Sequence, residues 1–309
     1  MKHAVVLCVL LASSVSTLSA RTPGQQPEGF PAAGAPAIVT MISTGAAPRS
    51  ALRYTPAAGT RQQMDMTVGM TMAMEVGGNA VPAMTLPTVR IGADCLVSEV
   101  APSGDVTFTM AFTGTDIDAG ADPTVATQFQ GMYDALKSVK GSATISNRGV
   151  TRTSSFDFGA VTNSQLGQSM GSMMEALKQV SIPLPEEEVG VGARWVARST
   201  FAANGLTLFQ KTEFELVSFD GKTMTLKSKA EQSALPQAIS NPALPPGAEV
   251  QLEHLTGGGS GTLRLNLNEL VPVSDATLDS TMVMKVAMGG NAQQMTFTTS
   301  LKLTIAPGK

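Results

Sequence analysis

The sequence predicts an α+β fold: a large, curved, half-barrel-like antiparallel β-sheet made of two related β-modules, with two central helices. Three observations predict it. Apolar residues alternate with polar or small ones over 64–76, a similar hairpin sequence returns near the C-terminus, and two amphipathic stretches with helical spacing lie between them. Alternation of period two is typical of a strand with one buried face, whereas a helix needs spacings of three and four.

The N-terminus is predicted to be a secretory signal peptide over residues 1–20. Lys2 precedes an apolar run from Ala4 to Ala12, and small residues lead to Ala20, near which we expect cleavage. Residues 21–36 are rich in Pro, Gly and Ala, which predicts a flexible leader, and residues 37–309 are predicted to form a single domain. The protein is therefore expected to be exported to the periplasm or cell envelope.

Composition excludes several classes of partner. The 309-residue chain has a net charge of −3 and no basic cluster, so binding to nucleic acid is not expected. No segment after the signal peptide is apolar over a length that predicts a transmembrane helix. Cys95 is the single cysteine beyond residue 20, so the domain must be stabilised by its core and not by an internal disulfide.

The first β-module, about 50–115, contains the methionine-rich segment MDMTVGMTMAM at 64–74. Its apolar residues fall on every even position as far as Val76, which predicts one long strand. The glycines of GGNA at 77–80 predict a tight turn, because glycine adopts a positive φ at little cost. An arm from Met84 to Ile91 follows, where Pro82 and Pro87 predict an irregular or edge strand.

The second β-module, about 189–306, repeats three segments of the first. MVMKVAMGGNAQQM at 282–295 matches MTMAMEVGGNAVPAM at 70–84, LVSFDGKTMTL at 216–226 matches LVSEVAPSGDVTFTM at 96–110, and VGARW at 191–195 matches AGTRQ at 58–62. Such repetition predicts a duplicated unit. Within this module Asn204-Gly205 predicts a hairpin turn, and GGGSG at 257–261 predicts a flexible hinge or wide turn. Trp195 is predicted to be a buried anchor of the core.

The segment that joins the modules, about 121–185, contains two amphipathic patterns. In the first, Asp122 is suited to cap a helix whose apolar positions fall three and four apart until Gly141 ends it. In the second, 163–180, one apolar stripe is formed by Leu166, Met170, Met173, Met174 and Leu177. A hairpin that turns at 147–149 is predicted between the two helices.

The methionines form the candidate site. Methionine packs adaptably in cores, lines promiscuous apolar surfaces and offers the soft sulfur that Cu(I) prefers, so a solid core, a lipophilic cavity and a metal site all stay open. The candidate cavity residues are Met64, Met66, Met70, Met72, Met74, Met170, Met173, Met174, Leu177, Met282, Met284 and Met288. No cofactor, no metal ligand and no catalytic residue is assigned.

Two further motifs point to other chemistries. GQSMG at 167–171 matches the Gly-x-Ser-x-Gly pattern of hydrolases, and Asp220 and His254 follow Ser169 in the expected order, but the motif lies in a helical pattern and not at a strand–turn–helix junction. DIDAGAD at 116–122 resembles part of a calcium loop but lacks the terminal bidentate Glu. His254 is the only histidine beyond the signal peptide, which excludes a zinc site built from several histidines.

The order of four segments resembles a family of exported bacterial proteins known only as a domain of unknown function. The segments are LRYTPAAGTRQQMDMTVGMTM, LVSEVAPSGDVTFTM, SMMEALKQVSIPLPEEEVGVGARWVARSTF and SGTLRLNLNELVPVSDATLDSTMVMKV, and the resemblance covers about 50–305. Members of that family often look like lipoproteins, whereas Cys8 is poorly placed for a lipid anchor. The family implies no activity, substrate or catalytic residue. More loosely, the predicted layout is similar to periplasmic lipoprotein-carrier half-barrels, in which a curved sheet and helices enclose an apolar cavity.

The sequence therefore predicts a non-enzymatic envelope protein that binds a lipid or an apolar peptide segment. One alternative is a structural or interaction protein of the envelope whose methionines are packed into a solid core. Another is copper handling through the Met-x-Met stripes. A continuous apolar cavity of roughly 300 Å³ or more would favour the first of these functions.

Overall fold

The structure, a computed structural model, describes residues 26–118, 130, 136–157, 181–203, 206–239, 249–288 and 291–308. Most of the described residues lie in long strands. In chain order the strands are β1 (Ile38–Ser43), β2 (Ser50–Ala51), β3 (Arg61–Val76), β4 (Asn79–Thr85), β5 (Val89–Val100), β6 (Val106–Ile117), β7 (Lys140–Ile145), β8 (Thr151–Asp157), β9 (Glu188–Val189), β10 (Arg194–Ala203), β11 (Leu206–Phe219), β12 (Thr223–Ala234), β13 (Gln237–Ile239), β14 (Glu249–Asn266), β15 (Val273–Met288) and β16 (Asn291–Pro307).

Fourteen of these strands make one antiparallel sheet. Its main path runs β1-β10-β11-β12-β14-β15-β16-β3-β5-β6-β7-β8, with β4 paired to β3 and β13 paired to β14 at its margin. The short strands β2 and β9 form a separate pair. Each end of the chain pairs with a strand distant in the sequence. The N-terminal strand β1 pairs with β10, and the C-terminal strand β16 pairs with β3.

The large antiparallel sheet is confirmed, but the predicted α+β class is wrong, because the described chain is nearly all β and contains no helix among its elements. The two predicted helices, about 122–141 and 163–180, fall almost wholly on 119–135 and 158–180, outside the described residues. Within the described part, the end of the first helix is wrongly placed. Gly141 lies in β7, where a Cβ atom would come within 2.8 Å of the Phe156 ring, so glycine is needed there to admit an aromatic neighbour.

The sheet buries one face, called here the inner face. It curves so strongly that its two wings, the strands around β10–β12 and the strands around β5–β8, meet on that side. The first core cluster joins Val97 and Val106 of one wing to Trp195 and Leu226 of the other. Strands β5 and β6 stand far from β10 and β12 in the order of the sheet, so only strong curvature can bring these side chains together. Tyr54, in the connection before β3, is buried between the wings.

Two smaller clusters lie elsewhere on the inner face. The second gathers Met64 and Met66 of β3 with Ile91 of β5 and Phe112 of β6. The third comprises Phe201, Leu206, Leu208, Ala234, Leu252 and Leu255, at the far ends of β10, β11, β12 and β14. Burial of these apolar side chains supplies the main stabilising free energy of the fold.

The GGGSG segment is not a hinge or a turn, as the sequence predicted, but the middle of strand β14. Gly257, Gly259 and Gly261 alternate onto the inner face opposite β15. A Cβ atom on Gly259 would lie 2.2 Å from the carbonyl oxygen of Thr277, which means that the backbone of β15 closely approaches β14 on this face. The glycines therefore permit the sharp bend of the sheet at this point.

The repeated segments AGTRQ and VGARW make the same local contacts. Gly59 and Gly192 both have a positive φ, of 86° and 83°. The N–H of Gly59 donates to the carbonyl of Val97, and that of Gly192 donates to the carbonyl of Leu216. An arginine follows each glycine by two positions, and it forms an ion pair with the acid that lies three residues before the accepting residue. These pairs are Arg61 with Asp94 and Arg194 with Glu213.

The leader approaches the outer face of the sheet. The Phe30 ring packs edge-on against Phe209 with ring centroids 5.4 Å apart. The N–H of Gly34 donates to the carbonyl of Thr200 at 3.2 Å. Residues 30–34 therefore cover part of β10 and β11 on the side opposite the core.

Candidate functional site

The methionine stripe of β3 divides into two parts. Met64 and Met66 are 5% and 9% exposed and belong to the second core cluster. Met70, Met72 and Met74 continue on the same inner face but are only half-buried. The first part is therefore ordinary core, and the second part is available for contact with another group.

Neighbouring strands extend this half-buried part into a surface. On β16, Leu301, Thr299 and Phe297 stand opposite Met70, Met72 and Met74. On β15, Met282 stands opposite Phe297 and Met284 opposite Met295. On β4, Met84 stands opposite Met72. Directly opposed residues of an antiparallel pair point to the same side of the sheet, so all these side chains share the inner face.

We call this surface the methionine face. It consists of Met70, Met72, Met74, Met84, Met282, Met284, Met288, Met295 and Phe297. Each member is half-buried except Met84, which is 47% exposed. Met282 and Met284 also pack against the third core cluster, so the face continues into the core at one side.

The methionine face carries no charged side chain. The inward positions of β3, β15 and β16 that form and border it are Met, Val, Leu, Phe, Ser or Thr, with the uncharged Gln293 and Asn291 at one margin. The ionisable residues of the same strands, such as Glu75 and Lys285, occupy the opposite parity and point to the outer face. An apolar group that lies on these strands would therefore meet no charged side chain of theirs on the inner face.

Of the candidate residues predicted from the sequence, Met70, Met72, Met74, Met282, Met284 and Met288 lie on the methionine face. Met170, Met173, Met174 and Leu177 lie outside the described residues. Sequence reasoning missed Met84, Met295 and Phe297. The last two could have been found by counting outward from the glycines at 289–290, since Met288 pairs with Asn291 and every second residue then faces its partner.

A small cavity of about 50 Å³ opens on the inner face between β3 and β5–β8. Its mostly apolar lining includes Met64, Cys95, Phe108, Met110 and Phe156. Sites for drug-sized ligands usually measure roughly 300–1,000 Å³. This cavity can therefore take a single side chain or the end of a ligand, but not a whole lipid.

Cys95 is a buried, unreactive thiol. It is 3% exposed, and burial raises its pKa to about 12, with the neighbouring carboxylate of Asp94 adding to the rise. A thiol of this kind is protonated near neutral pH, and only the thiolate is a strong nucleophile.

We expect Cys95 to resist alkylation by iodoacetamide at about pH 8 in the folded protein and to react readily after unfolding in urea. Because its pKa is higher in the folded than in the unfolded state, the stability contributed by the neutral thiol is fully present below pH 9.0 and is lost as the pH rises towards about 12. Mass spectrometry of the alkylated protein measures the rate. Equal rates in the folded and unfolded protein would contradict the burial of the thiol.

The structure does not bring together the residues of the hydrolase motif. Ser169 lies outside the described residues. Asp220 caps the β11–β12 turn, where the N–H groups of Lys222 and Thr223 donate to its carboxylate and lower its pKa. His254 is exposed on β14, about 40 Å along that strand from the residue paired with Thr223. Asp220 and His254 therefore cannot act on one substrate group.

The calcium-loop motif is only partly described, since 119–122 lie outside the described residues. Among the described residues, no group of three or more His, Cys, Asp or Glu side chains is arranged so that it could bind a metal ion. In the same parts of the chain, no helix has the length and apolar character needed to cross a lipid bilayer.

No protein-family model and no curated protein matches the sequence. Among solved structures, two mutants of the Rh. blastica porin are similar to 80% of this chain over 100% of their own, at 9% and 10% identity and a TM-score of 0.22 each. At such identity and TM-score the likeness carries no argument, and the resemblance to an exported family of unknown function stays a prediction.

Proposed function

We propose that this protein is a non-enzymatic binding module of the cell envelope, whose methionine face takes up a lipophilic ligand such as the acyl chain of a lipid. The observation that carries this proposal is the uncharged, half-buried surface formed where β3, β4, β15 and β16 meet. An apolar surface of this kind, continuous with a core cluster, is typical of a binding site.

The choice of side chain supports an adaptable ligand. Strand positions usually favour β-branched or aromatic residues, yet eight of the nine members of the face are methionine. Methionine has an unbranched, flexible side chain that can follow the shape of different apolar partners. Since the cavity near Cys95 measures only about 50 Å³, the ligand would lie along the face and not within a closed pocket.

The predicted signal peptide supports the proposed location, because an exported protein meets lipids and lipid-linked molecules in the envelope. An apolar segment of a partner protein would use the same surface, and the experiment below separates it from a lipid.

We expect the protein to bind a long-chain fatty acid that carries an environment-sensitive fluorophore, with saturation and with displacement by unlabelled fatty acid. Met72→Lys should weaken this binding about 10-fold or more, because a bound acyl chain would remove water from the new ammonium group. Fluorescence titration measures both affinities.

Thr71→Lys is the matched control. Thr71 immediately precedes Met72 on β3, is exposed and points to the outer face. The same charge placed there should therefore leave the affinity unchanged. Equal losses in the two variants, or no saturable binding in the unaltered protein, would overturn the acyl-chain proposal. The second of these results would favour a solid-core structural protein or a protein partner.

A further inference from the structure

Three other methionines are neighbours of Met72 on the inner face of the sheet. Met70 and Met74 lie two residues away along β3 on the same face, about 7 Å from Met72 between Cα atoms. Met84 stands directly across on β4, where Cβ atoms of opposed residues are about 4.5–5.5 Å apart. A methionine side chain has three rotatable bonds, so the sulfur atoms of Met72, Met84 and one flanking methionine can reach one point. Met70 and Met74 are about 13 Å apart between Cα atoms, so only one of them can join the other two.

The position of Met84 depends on an irregularity in the hairpin. Val76 pairs with Asn79 and Met74 with Val81, so a regular ladder would place Ala83 opposite Met72. A register shift between Met72 and Met74 instead places Met84 there. Pro82 lies within the shift and has no N–H to continue the ladder. The bulge therefore places a methionine of the second strand, Met84, directly beside Met72.

Groups of thioethers without carboxylate or imidazole have a narrow metal preference. Soft sulfur ligands bind Cu(I), whereas hard cations such as Ca²⁺ and Mg²⁺ require oxygen ligands. No charged side chain shares the face with these methionines, so a hard cation would find no carboxylate ligand among the residues of this face. Met84 is 47% exposed, which gives an ion access from solvent.

We propose that Met72 and Met84, with either Met70 or Met74 as a third ligand, form a soft-metal site that binds one monovalent Cu(I) or Ag(I) ion. This proposal does not depend on acyl-chain binding, although the two sites share Met72 and its neighbours. Two of the ligands come from β3 and the third from its hairpin partner, so the ion would link β4 to β3.

The opposed pair Met284 and Met295 on β15 and β16 is a weaker candidate. Met284 packs against the third core cluster, so moving its sulfur towards an ion would disturb that packing. On β3 the residue opposite Met295 is Val76, so no methionine of β3 stands directly across from this pair. We therefore assign the ion to the β3–β4 hairpin.

The test is a titration with Ag⁺, which is redox-inert, of the protein in a Cys95→Ala background that removes the free thiol. Calorimetry should show one tight equivalent per chain. In the protein labelled with ¹³C at the methionine methyl groups, NMR signals of Met72 and Met84 should shift on addition of the ion. The double variant Met72→Leu/Met84→Leu should lose this equivalent or bind it roughly 100-fold more weakly, since even loss of residues that only support a ligand costs about 10–100-fold.

Met66→Leu/Met224→Leu is the matched control, because it removes two thioethers that are 9% and 0% exposed. It should bind Ag⁺ as the unaltered background does. Absence of tight binding in the background, or equal binding in the Met72→Leu/Met84→Leu variant, would overturn the site. Leucine keeps the face apolar, so retained fatty-acid binding in that variant, together with lost Ag⁺ binding, separates the two proposals.

Discussion

Replacing Trp195 by alanine should lower the free energy of unfolding by about 3–5 kcal/mol, the range usual for removal of a large buried aromatic side chain. Trp195 is fully buried on the inner face of β10. Its ring stacks against Phe214 with centroids 5.7 Å apart, and its indole N–H donates to the carbonyl of Pro183 at 2.9 Å. Because a domain of this kind is stable by only about 5–15 kcal/mol, the loss would be a large fraction of the total.

The effect should be large because Trp195 connects separate parts of the chain. Met41 of the edge strand β1 lies opposite it, and the hydrogen bond to Pro183 holds the segment that enters β9. Urea unfolding followed by circular dichroism measures the change, since the variant has lost the only tryptophan.

Trp195→Phe tests the two contributions separately. It keeps an aromatic ring but leaves the carbonyl of Pro183 without its donor, so a loss of about 1–3 kcal/mol is expected. Val191→Ala is the surface control, because Val191 is 49% exposed and its truncation should change stability by less than about 0.5 kcal/mol. A loss below about 1 kcal/mol for Trp195→Ala would contradict the role assigned to this residue.

Local patterns in the sequence were sufficient to predict much of the methionine face. Alternation over 64–76 predicted β3, which spans Arg61–Val76, and the glycines at 77–78 join β3 to β4 as expected. Both are short-range properties: the period of the side chains and the freedom of glycine at positive φ. The predicted turn at Gly149, whose φ is 71°, rests on the same reason.

What could not be predicted depends on how the strands pair with one another. Pro82 signalled an irregular strand, but the direction of the register shift that places Met84 opposite Met72 is set by how β4 packs on β3. The alignment of the two repeats was also offset by one residue. The sequence aligns Leu96 with Leu216, whereas in the structure Val97 and Leu216 are the residues whose carbonyls accept from Gly59 and Gly192. The predicted fold class was wrong because two stretches of the sequence have helical spacing, whereas the full extent of the sheet depends on long-range strand pairing that local spacing does not reveal.

The GGGSG segment shows how a local pattern can have two meanings. A run of glycines is typical of a turn or linker, because glycine is flexible and has a poor strand propensity. In this protein the same glycines pair with β12 on one side and β15 on the other. What distinguishes the two meanings is the close approach of β15, which is not visible in the sequence of β14.

Two adjacent substitutions in this segment should therefore have opposite effects. Gly259→Ala should destabilise the fold by about 3 kcal/mol, because its Cβ would lie 2.2 Å from the carbonyl oxygen of Thr277 and 3.1 Å from the Cα atom of Leu278. Both neighbours are backbone atoms, and they can move only if the bend between β14 and β15 opens. Gly258→Ala should leave stability unchanged or raise it by about 0.5–1 kcal/mol, because glycine within a strand is entropically unfavourable.

The pair is its own control, since both variants add one methyl group to neighbouring positions of the same strand. At Gly258 the nearest atom to the new Cβ is the Ala230 carbonyl oxygen at 4.0 Å, so nothing has to move. Urea unfolding of the two variants measures the difference. If both changed stability alike, the sheet would not be bent at Gly259, and the inner face could not be concave at the place where β14 leads to the methionines of β15.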